Sequence, residues 1–398
     1  MGKTVLISGA SIAGPALAYW LARNGFEPTV VELAPAIRAG GQAVDFRGET
    51  HLTVLERMGV LDELRRISTG GHPITFVDEK NRQLLHLPAE FAGGAVEVER
   101  GDLAHLLYEH SRPGADYLFG DSITGLAETA TGVHVTFRHA APREFDLVIG
   151  ADGLHSNVRR LAFGREERYV THLGYYAATW QLPDHPGLAH GSVGYNAPGR
   201  LASIGAGRRD PQTAGAFAVF ASPRLDYDRH DLDQQKALIT QAFTGLGWEV
   251  PRMLESLHTA EELYFDSISR ADLPSWSSGR IALVGDAACG ATIGGMGTGT
   301  GIVAAYVLAG ELALADGDHR AAFPAYERRL RDYARTCQQG GDRTGRFLAP
   351  KSRTGLRLRN TLLSRRAILN WMLKAGEKVA ELAELPDYPA RLGHRAGV

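Results

Sequence analysis

Cysteine is scarce in this chain, and no charge of one sign is in surplus. Two cysteines, Cys289 and Cys337, stand among 398 residues; they are too few for a disulfide framework and suit a reducing cytoplasm. Lysine plus arginine number 43 against 45 aspartates plus glutamates, so the charge carries no footprint for nucleic acid. A long uninterrupted hydrophobic run is missing. The most apolar stretch, Ile281 to Ala315, is broken by Asp286 and by glycines between Gly285 and Gly301, which argues against stable membrane insertion. Met1-Gly2-Lys3 runs straight into the apolar Thr4–Ile7, so no secretory leader is expected. Internal repeats, low-complexity tracts and metal-ligating patterns are absent as well. What remains is a chain of ordinary globular composition, 44% hydrophobic and 22% charged, long enough for two domains.

The hydrophobic pattern supplies the elements. Residues 4–8 read as a buried strand, 12–24 as a helix closed by Gly25, and Pro28–Glu32 as a second buried strand, which together make a βαβ unit. Residues 49–67 read as one helix with Leu52, Leu55, Met58, Leu61 and Leu64 on its inner face. Alternating residues from Gly71 to Leu87 predict strands leaving this first unit, and 99–111 a helix returning to it. "EFDLVIGADG" and "GRIALVGD" are two more buried strands. Between them, Tyr169 to Tyr264 alternates in short strands with Gly/Pro turns, the pattern of an inserted sheet domain. From Ala321 onward the chain is helical and rich in arginine. Lys351–Lys374 reads as a long helix bridging the two domains, with an interfacial helix as the alternative.

The first turn carries chemistry. Gly9-x-Ser11-x-x-Gly14 lies between strand and helix, where a dinucleotide's pyrophosphate meets backbone amides and the positive end of a helix. Gly9 permits the tight turn, Gly14 permits close packing, and Ser11 keeps the middle position small. Glu32 ends the second strand, where a carboxylate accepts both hydroxyls of an adenosine ribose. The same charge disfavours a 2′-phosphate. This stretch alone leaves FAD and NAD both open.

Two later motifs narrow the choice. "DLVIGADGLHSNVRR" ends a strand in Asp152-Gly153, and "GRIALVGDAACGATIGGMGTGTG" ends another in Gly285-Asp286 before a glycine-rich loop and a helix. An aspartate at the carboxyl end of a strand suits a ribose or ribityl hydroxyl. With all three motifs in this order, the chain from about Thr4 to Leu330 resembles the FAD-dependent class A monooxygenases, the family of p-hydroxybenzoate hydroxylase and the tetracycline-inactivating hydroxylases.

The resemblance implies an α/β fold: a Rossmann-like FAD-binding domain (1–70, 98–168 and 270–350), an inserted β-sheet substrate domain (71–97 and 169–269) and a C-terminal bridging helix and tail (351–398). Its implied cofactor-binding residues are Gly9, Ser11, Ala13, Gly14, Glu32, Arg38, Asp45, Arg100, Ile123, Asp152, Gly153 and Asp286. Arg100 matches the arginine that contacts the ribityl–pyrophosphate portion, Asp286 the ribityl-binding aspartate, and Gly153 the motif shared with the pyrophosphate of NAD(P)H. Asp45 resembles an acidic position near the flavin, and Arg38 lies where transiently bound NADPH is recognised. The amides of Gly297, Thr298 and Gly299 are placed at the flavin N1/O2 edge, where they would act as an oxyanion hole does. Where the family often has proline this chain has Thr292-Ile293; where it has asparagine, Gly299; and Ala304 and Cys289 stand at other positions of difference.

The function this implies is a cytoplasmic, FAD-dependent, NADPH- or NADH-consuming monooxygenase, monomer or homodimer. It would insert one atom of O2, through a flavin C4a-hydroperoxide, into a small aromatic, polycyclic or polyketide-like molecule, as in antibiotic biosynthesis or resistance. The alternatives are a flavin reductase or oxidase without oxygen insertion, and a redox-inactive flavin- or ligand-binding protein. Arg47, Tyr175, Tyr195 and Phe217 are the substrate candidates. His51 and His172 join Arg47, Tyr175 and Tyr195 as possible bases, and none of the five is assigned. Tyr176, Trp180 and Phe220 read equally as sheet core or substrate wall. Cys289 reads as a small buried hydrophobe before a redox group.

Overall fold

The computed structural model describes residues 2–38, 43–182, 191–206, 214–293, 296–379, 381–382 and 384–388. Its first sheet has six strands in the order Ser277–Ser278, Ile281–Leu283, Leu147–Gly150, Thr4–Ser8, Glu27–Glu32 and Asp116–Phe119. All pairs are parallel except the edge pair made by Ser277–Ser278. Val5, Leu6, Ile7, Leu147, Val148 and Ile149 are fully buried, as the continuous apolar runs of a sheet covered on both faces require. Helix Ala13–Arg23 packs against helix Gly297–Leu314, and both lie in the core of this layer. Gly297–Leu314 is the one helix among the described residues with the length and apolarity to cross a membrane, and 78% of it is buried inside the fold.

The second sheet has seven strands, in the order Tyr264–Ala271, Val170–Leu182, Ala214–Ala221, Arg200–Ala206, Ser192–Ala197, Ile74–Val77 and Gln83–Leu87. Its neighbours are antiparallel except Ser192–Ala197 against Ile74–Val77. Strand periodicity sends alternate residues to opposite faces. Tyr176, Ala178, Trp180, Ala202, Ala218 and Phe220 share one face with Ile239, Phe243, Met253 and Leu257. Tyr175, Ala177, Leu201 and Val219 share the other with Ala349, Leu363 and the partly buried Phe217, Ile293 and Phe347.

Three elements differ from the sequence reading. The helix expected over 49–67 is two, Gly48–Met58 and Leu61–Arg66. Gly59 adopts a left-handed φ of 79°, and the Val60 N–H turns back to the Leu55 carbonyl, which closes the first helix as a C-terminal glycine does. Helices Leu232–Phe243 and Val250–Thr259 lie inside the stretch read as strands. The first is capped by Asp231, whose carboxylate accepts the Gln234 N–H, and together they cover the Trp180 face of the sheet. Residues 351–374 form no single long helix: Arg353–Leu363 and Arg366–Val379 follow one another. The element that reaches both sheets is His319–Leu348. Phe323, Tyr326 and Leu330 lie in the first core, whereas Gly345 packs on the Tyr175 ring of the second sheet.

Candidate active site

The carboxyl ends of strands Thr4–Ser8, Leu147–Gly150 and Ile281–Leu283 open onto one rim. There Gly9 has φ 105°, and a Cβ on it would lie 2.6 Å from the Ala151 carbonyl oxygen. A Cβ on Gly14 would lie 1.8 Å from the Gly9 carbonyl oxygen, so both glycines are required by close backbone approach. The Ala13 methyl packs beside Gly285 and Gly301. Glu32 accepts the Ala10 N–H at 2.8 Å and the Ala34 N–H at 2.9 Å, one on each oxygen. These bonds hold the carboxylate in the turn with a lone pair left on each oxygen. Arg100 opens helix Arg100–Ser111 and donates to Ser11 Oγ at 3.2 Å.

Asp286 begins the short helix Asp286–Cys289. Its Oδ1 is buried and has no hydrogen-bond partner. Burial raises its pKa, and the nearby Arg100 guanidinium opposes that rise. A Cβ on Gly297 would lie 2.6 Å from this oxygen, so the aspartate and the first turn of helix Gly297–Leu314 are in contact. Met296, in the left-handed region at φ 53°, turns the chain into that helix. The first amides, Gly297, Thr298 and Gly299, have no acceptor within the helix by its geometry. Gly294 and Gly295 lie outside the described residues. A buried orphan acceptor beside glycine-walled amides fits a ligand with hydroxyl donors and an anionic edge, which is the chemistry of FAD.

The two aspartate motifs serve different ends. Asp152 spends its oxygens inside the protein, on Ser8 Oγ (3.2 Å), the Val158 N–H (3.0 Å) and a short bond from Ser156 Oγ. Burial raises its pKa against the pull of those donors. It thus fixes the loop that presents Gly153, whose φ is 80° and whose side-chain direction is open. Ile123 is a core residue, 2% exposed, whose carbonyl accepts Asn157 Nδ2 at 2.7 Å. Asp45, on strand Ala43–Phe46, pairs with Arg47, and Arg47 also reaches the Phe91 carbonyl at 3.4 Å. Arg38 is exposed, at the edge of the described segment.

Two residues of the sequence motifs, Arg159 and Thr292, take structural roles that the sequence does not assign. Arg159 is 1% exposed; it donates to the Ala287 carbonyl at 3.0 Å and to the Leu154 carbonyl, tying one aspartate loop to the other. Thr292, at the position of an expected proline, bonds the Ser267 carbonyl at 2.9 Å and accepts the Ser269 N–H at 3.0 Å. A proline has no N–H, and the Thr292 N–H donates to Ser269 at 3.1 Å, so the threonine ties the loop to the second sheet. Cys289 is buried, and burial pushes its thiol pKa far up; it stays protonated and packs as a small apolar side chain.

The substrate candidates separate by face. Phe217 and Tyr175 lie on the Ile293 side, where Tyr175 is covered by Gly345 and Lys351. Tyr195 lies on the opposite side, stacked on Trp248 with ring centroids 5.9 Å apart, and donates to Glu79 Oε1 at 2.9 Å. Burial, then Glu79, raises its pKa to about 12. Tyr195→Phe is expected to lower the unfolding free energy by about 0.5–1.5 kcal/mol and to leave flavin reduction unchanged. A slower reduction would return Tyr195 to the site. Tyr176, Trp180 and Phe220 belong to the same core. His172 Nε2 donates to the Ser222 carbonyl (2.9 Å), and the ring lines a cleft of about 410 Å³ with His155, Glu166, Arg224, Arg229 and Asp266.

In that cleft His155 bridges Glu166 through Nδ1 and Asp266 through Nε2, both at about 3.0 Å. Burial alone would lower its pKa, but the two carboxylates outweigh it and raise the pKa to about 9. The folded value lies above the unfolded one, near 6.5. The contribution to stability is therefore complete below pH ~6.5 and is lost as pH rises through about 9. At pH 6 the wild type should exceed His155→Gln by about 2–3 kcal/mol in urea unfolding, with the gap closing by pH ~9.5. A gap independent of pH would contradict the assignment.

With this geometry in hand, the comparisons are specific. The model of the FAD binding domain family matches residues 3–341. An uncharacterised protein of Mycobacterium tuberculosis is 42% identical over 331 residues, covering 81% of this chain and 88% of the relative. A flavin-dependent monooxygenase of Legionella longbeachae is 37% identical over 343 residues, covering 85% and 87%. Among solved structures, the tetracycline destructase Tet(51) superposes with a TM-score of 0.86 at 29% identity, covering 98% of this chain and 100% of that one.

Proposed function

This chain belongs to the FAD binding domain family and is a flavin-dependent monooxygenase, and from that premise we propose its reaction. Electrons come from NADPH or NADH, and one atom of O2 enters a small aromatic or polycyclic molecule held between the flavin and the Phe217 face of the second sheet. The observation that carries the site is the buried, unpartnered Oδ1 of Asp286 against the first turn of Gly297–Leu314. The similarity to Tet(51) supports a polycyclic substrate of the tetracycline kind.

When bound, FAD supplies hydride acceptance and the activation of dioxygen. The residues of this chain do the rest. Gly9, Ser11, Ala13 and Gly14 admit the pyrophosphate, with Arg100 across the turn as its counter-charge, and Glu32 takes the ribose. Asp286 accepts from a ribityl hydroxyl. The amides of Gly297, Thr298 and Gly299 stabilise negative charge at the ring's N1/O2 edge. Asp45 and Arg47 form an ion pair that would face the ring, and Arg38 and the Gly153 loop would meet the transient nicotinamide dinucleotide. Phe217 walls the substrate side and excludes water, and Tyr175, buried under Gly345 and Lys351, backs the same face. No side chain is assigned as a base. The two sheets support a division into 1–70, 98–168 and 270–350 for the cofactor, 71–97 and 169–269 for the substrate, and 351–398 as the C-terminal segment, of which Leu363 and Leu369 pack in the core of the second sheet and Tyr388 in that of the first. Neither of the buried cysteines, Cys289 and Cys337, is in a disulfide, which supports a cytoplasmic setting.

The test is anaerobic stopped-flow absorbance of the yellow holoprotein with NADPH or NADH, across a panel of phenolic and polycyclic compounds. Bleaching accelerated by one compound supports the reading and identifies its class. Flavin that neither nicotinamide reduces would overturn it.

A further inference from the structure

Gly299 presents a puzzle that the cofactor alone does not solve. It sits in regular helix and is not among the residues with positive φ, so its conformation does not call for glycine. Alanine is the better helix former, so propensity does not call for glycine either. Space supplies the reason. A Cβ on Gly299 would lie 2.2 Å from His51 Cε1 and 2.5 Å from each ring nitrogen. The imidazole is pressed flat against the backbone of the flavin-side turn.

His51 is held there from three sides. It lies in helix Gly48–Met58, is 1% exposed, and meets the Phe46 ring edge-on at 6.2 Å between centroids. The Arg47 N–H donates to Nδ1 at 3.3 Å, so Nε2 carries the hydrogen and donates to the Tyr333 hydroxyl at 2.7 Å. Tyr333 belongs to the long helix His319–Leu348. Burial pulls the imidazole pKa down to about 4, so the ring is neutral and its tautomer single at working pH. One buried side chain therefore joins three helices at the point where the first turn of Gly297–Leu314 begins.

We propose that His51 is a positioning residue, which sets the amides of Gly297–Gly299 at their working distance from the flavin edge by filling the space over Gly299 and anchoring to Tyr333. The inference rests on the reading that those amides face the flavin. It gives His51 a role in binding and tuning the cofactor in place of the role of a base.

A double-mutant cycle tests it, with FAD dissociation constants, the midpoint potential of the bound flavin and the melting temperature of the apoprotein measured for each protein. Gly299→Ala alone is expected to weaken FAD binding about tenfold or more, although alanine favours the helix. In the His51→Ala background the same change should cost less than about twofold. His51→Ala should also lower the midpoint potential, because misplaced amides stabilise the anionic reduced ring less. An equal penalty for Gly299→Ala in both backgrounds would overturn the proposal, as would a His51→Ala protein with unchanged affinity and potential. If His51→Ala does not fold, Tyr333→Phe, which removes only the anchoring hydroxyl, must itself lower the potential, and an unchanged value is equally fatal. A folded Gly299→Ala protein with wild-type affinity and potential would instead show that the amides do not face the flavin, a failure of the underlying reading.

Discussion

Replacing Asp286 by alanine will yield a folded protein that loses its yellow colour on gel filtration. A charge-assisted hydrogen bond is worth about 1.5–3 kcal/mol, so the FAD dissociation constant should rise by roughly 10- to 150-fold. The apoprotein should not pay for the change. In the ligand-free fold Asp286 Oδ1 is buried without a partner, which is a cost the substitution removes. The expected signature is thus a split: weaker FAD, with an apoprotein melting temperature equal to or above the wild type. Asp286→Asn keeps an acceptor of the same shape and should bind more tightly than the alanine variant. An Asp286→Ala protein with wild-type affinity would remove this residue from the site, and a destabilised apoprotein would mean that the carboxylate is structural.

Arg159→Met should cost the most stability, about 3–5 kcal/mol, because it removes one member of a buried charged cluster and leaves the others in place. The guanidinium is the shared donor for the Ala287 and Leu154 carbonyls and lies 3.7 Å from Glu166. Without it those carbonyls lose their donor under the same loops that carry Gly153 and Asp286. Urea unfolding of the apoprotein at neutral pH measures the loss, and a change below about 1 kcal/mol would contradict the role. FAD binding should weaken too, as a consequence of looser loops, and added FAD should restore part of the stability by mass action.

The first βαβ unit was legible because each part announces itself locally. Val5–Ile7 is continuously apolar, Gly9 and Gly14 stand where backbone atoms collide with any side chain, and Glu32 closes the strand that returns to them. Asp152 and Asp286 were legible as strand-end aspartates but not as different ones. Only the fold shows that Ser156 and Val158, a few residues on, occupy the first, while the second has no such partners. The second sheet was legible as strands but not by face, since a shift of one residue exchanges its two sides. That is why Tyr195 and Phe217 stood together as substrate candidates and separate in the structure. Helices Leu232–Phe243 and Val250–Thr259 were missed because their buried positions are few, Gln235, Ile239 and Phe243 in the first and Val250, Met253 and Leu257 in the second. The Arg159–Ala287 bond and the His51–Tyr333 pair join residues more than a hundred positions apart, beyond the reach of any local pattern.

Transfer of oxygen from O2 to a small molecule through this site is the most direct mark of the proposed activity. The measurement is mass spectrometry of products formed by the holoprotein with NADPH under 18O2, using tetracyclines and simpler polycyclic phenols as substrates. The expected result is a product carrying one 18O atom, formed in step with NADPH oxidation and reduced in the Asp286→Ala protein at limiting FAD. NADPH oxidation with no 18O in any product across the panel, or 18O incorporation unaffected by Asp286→Ala under those conditions, would contradict it.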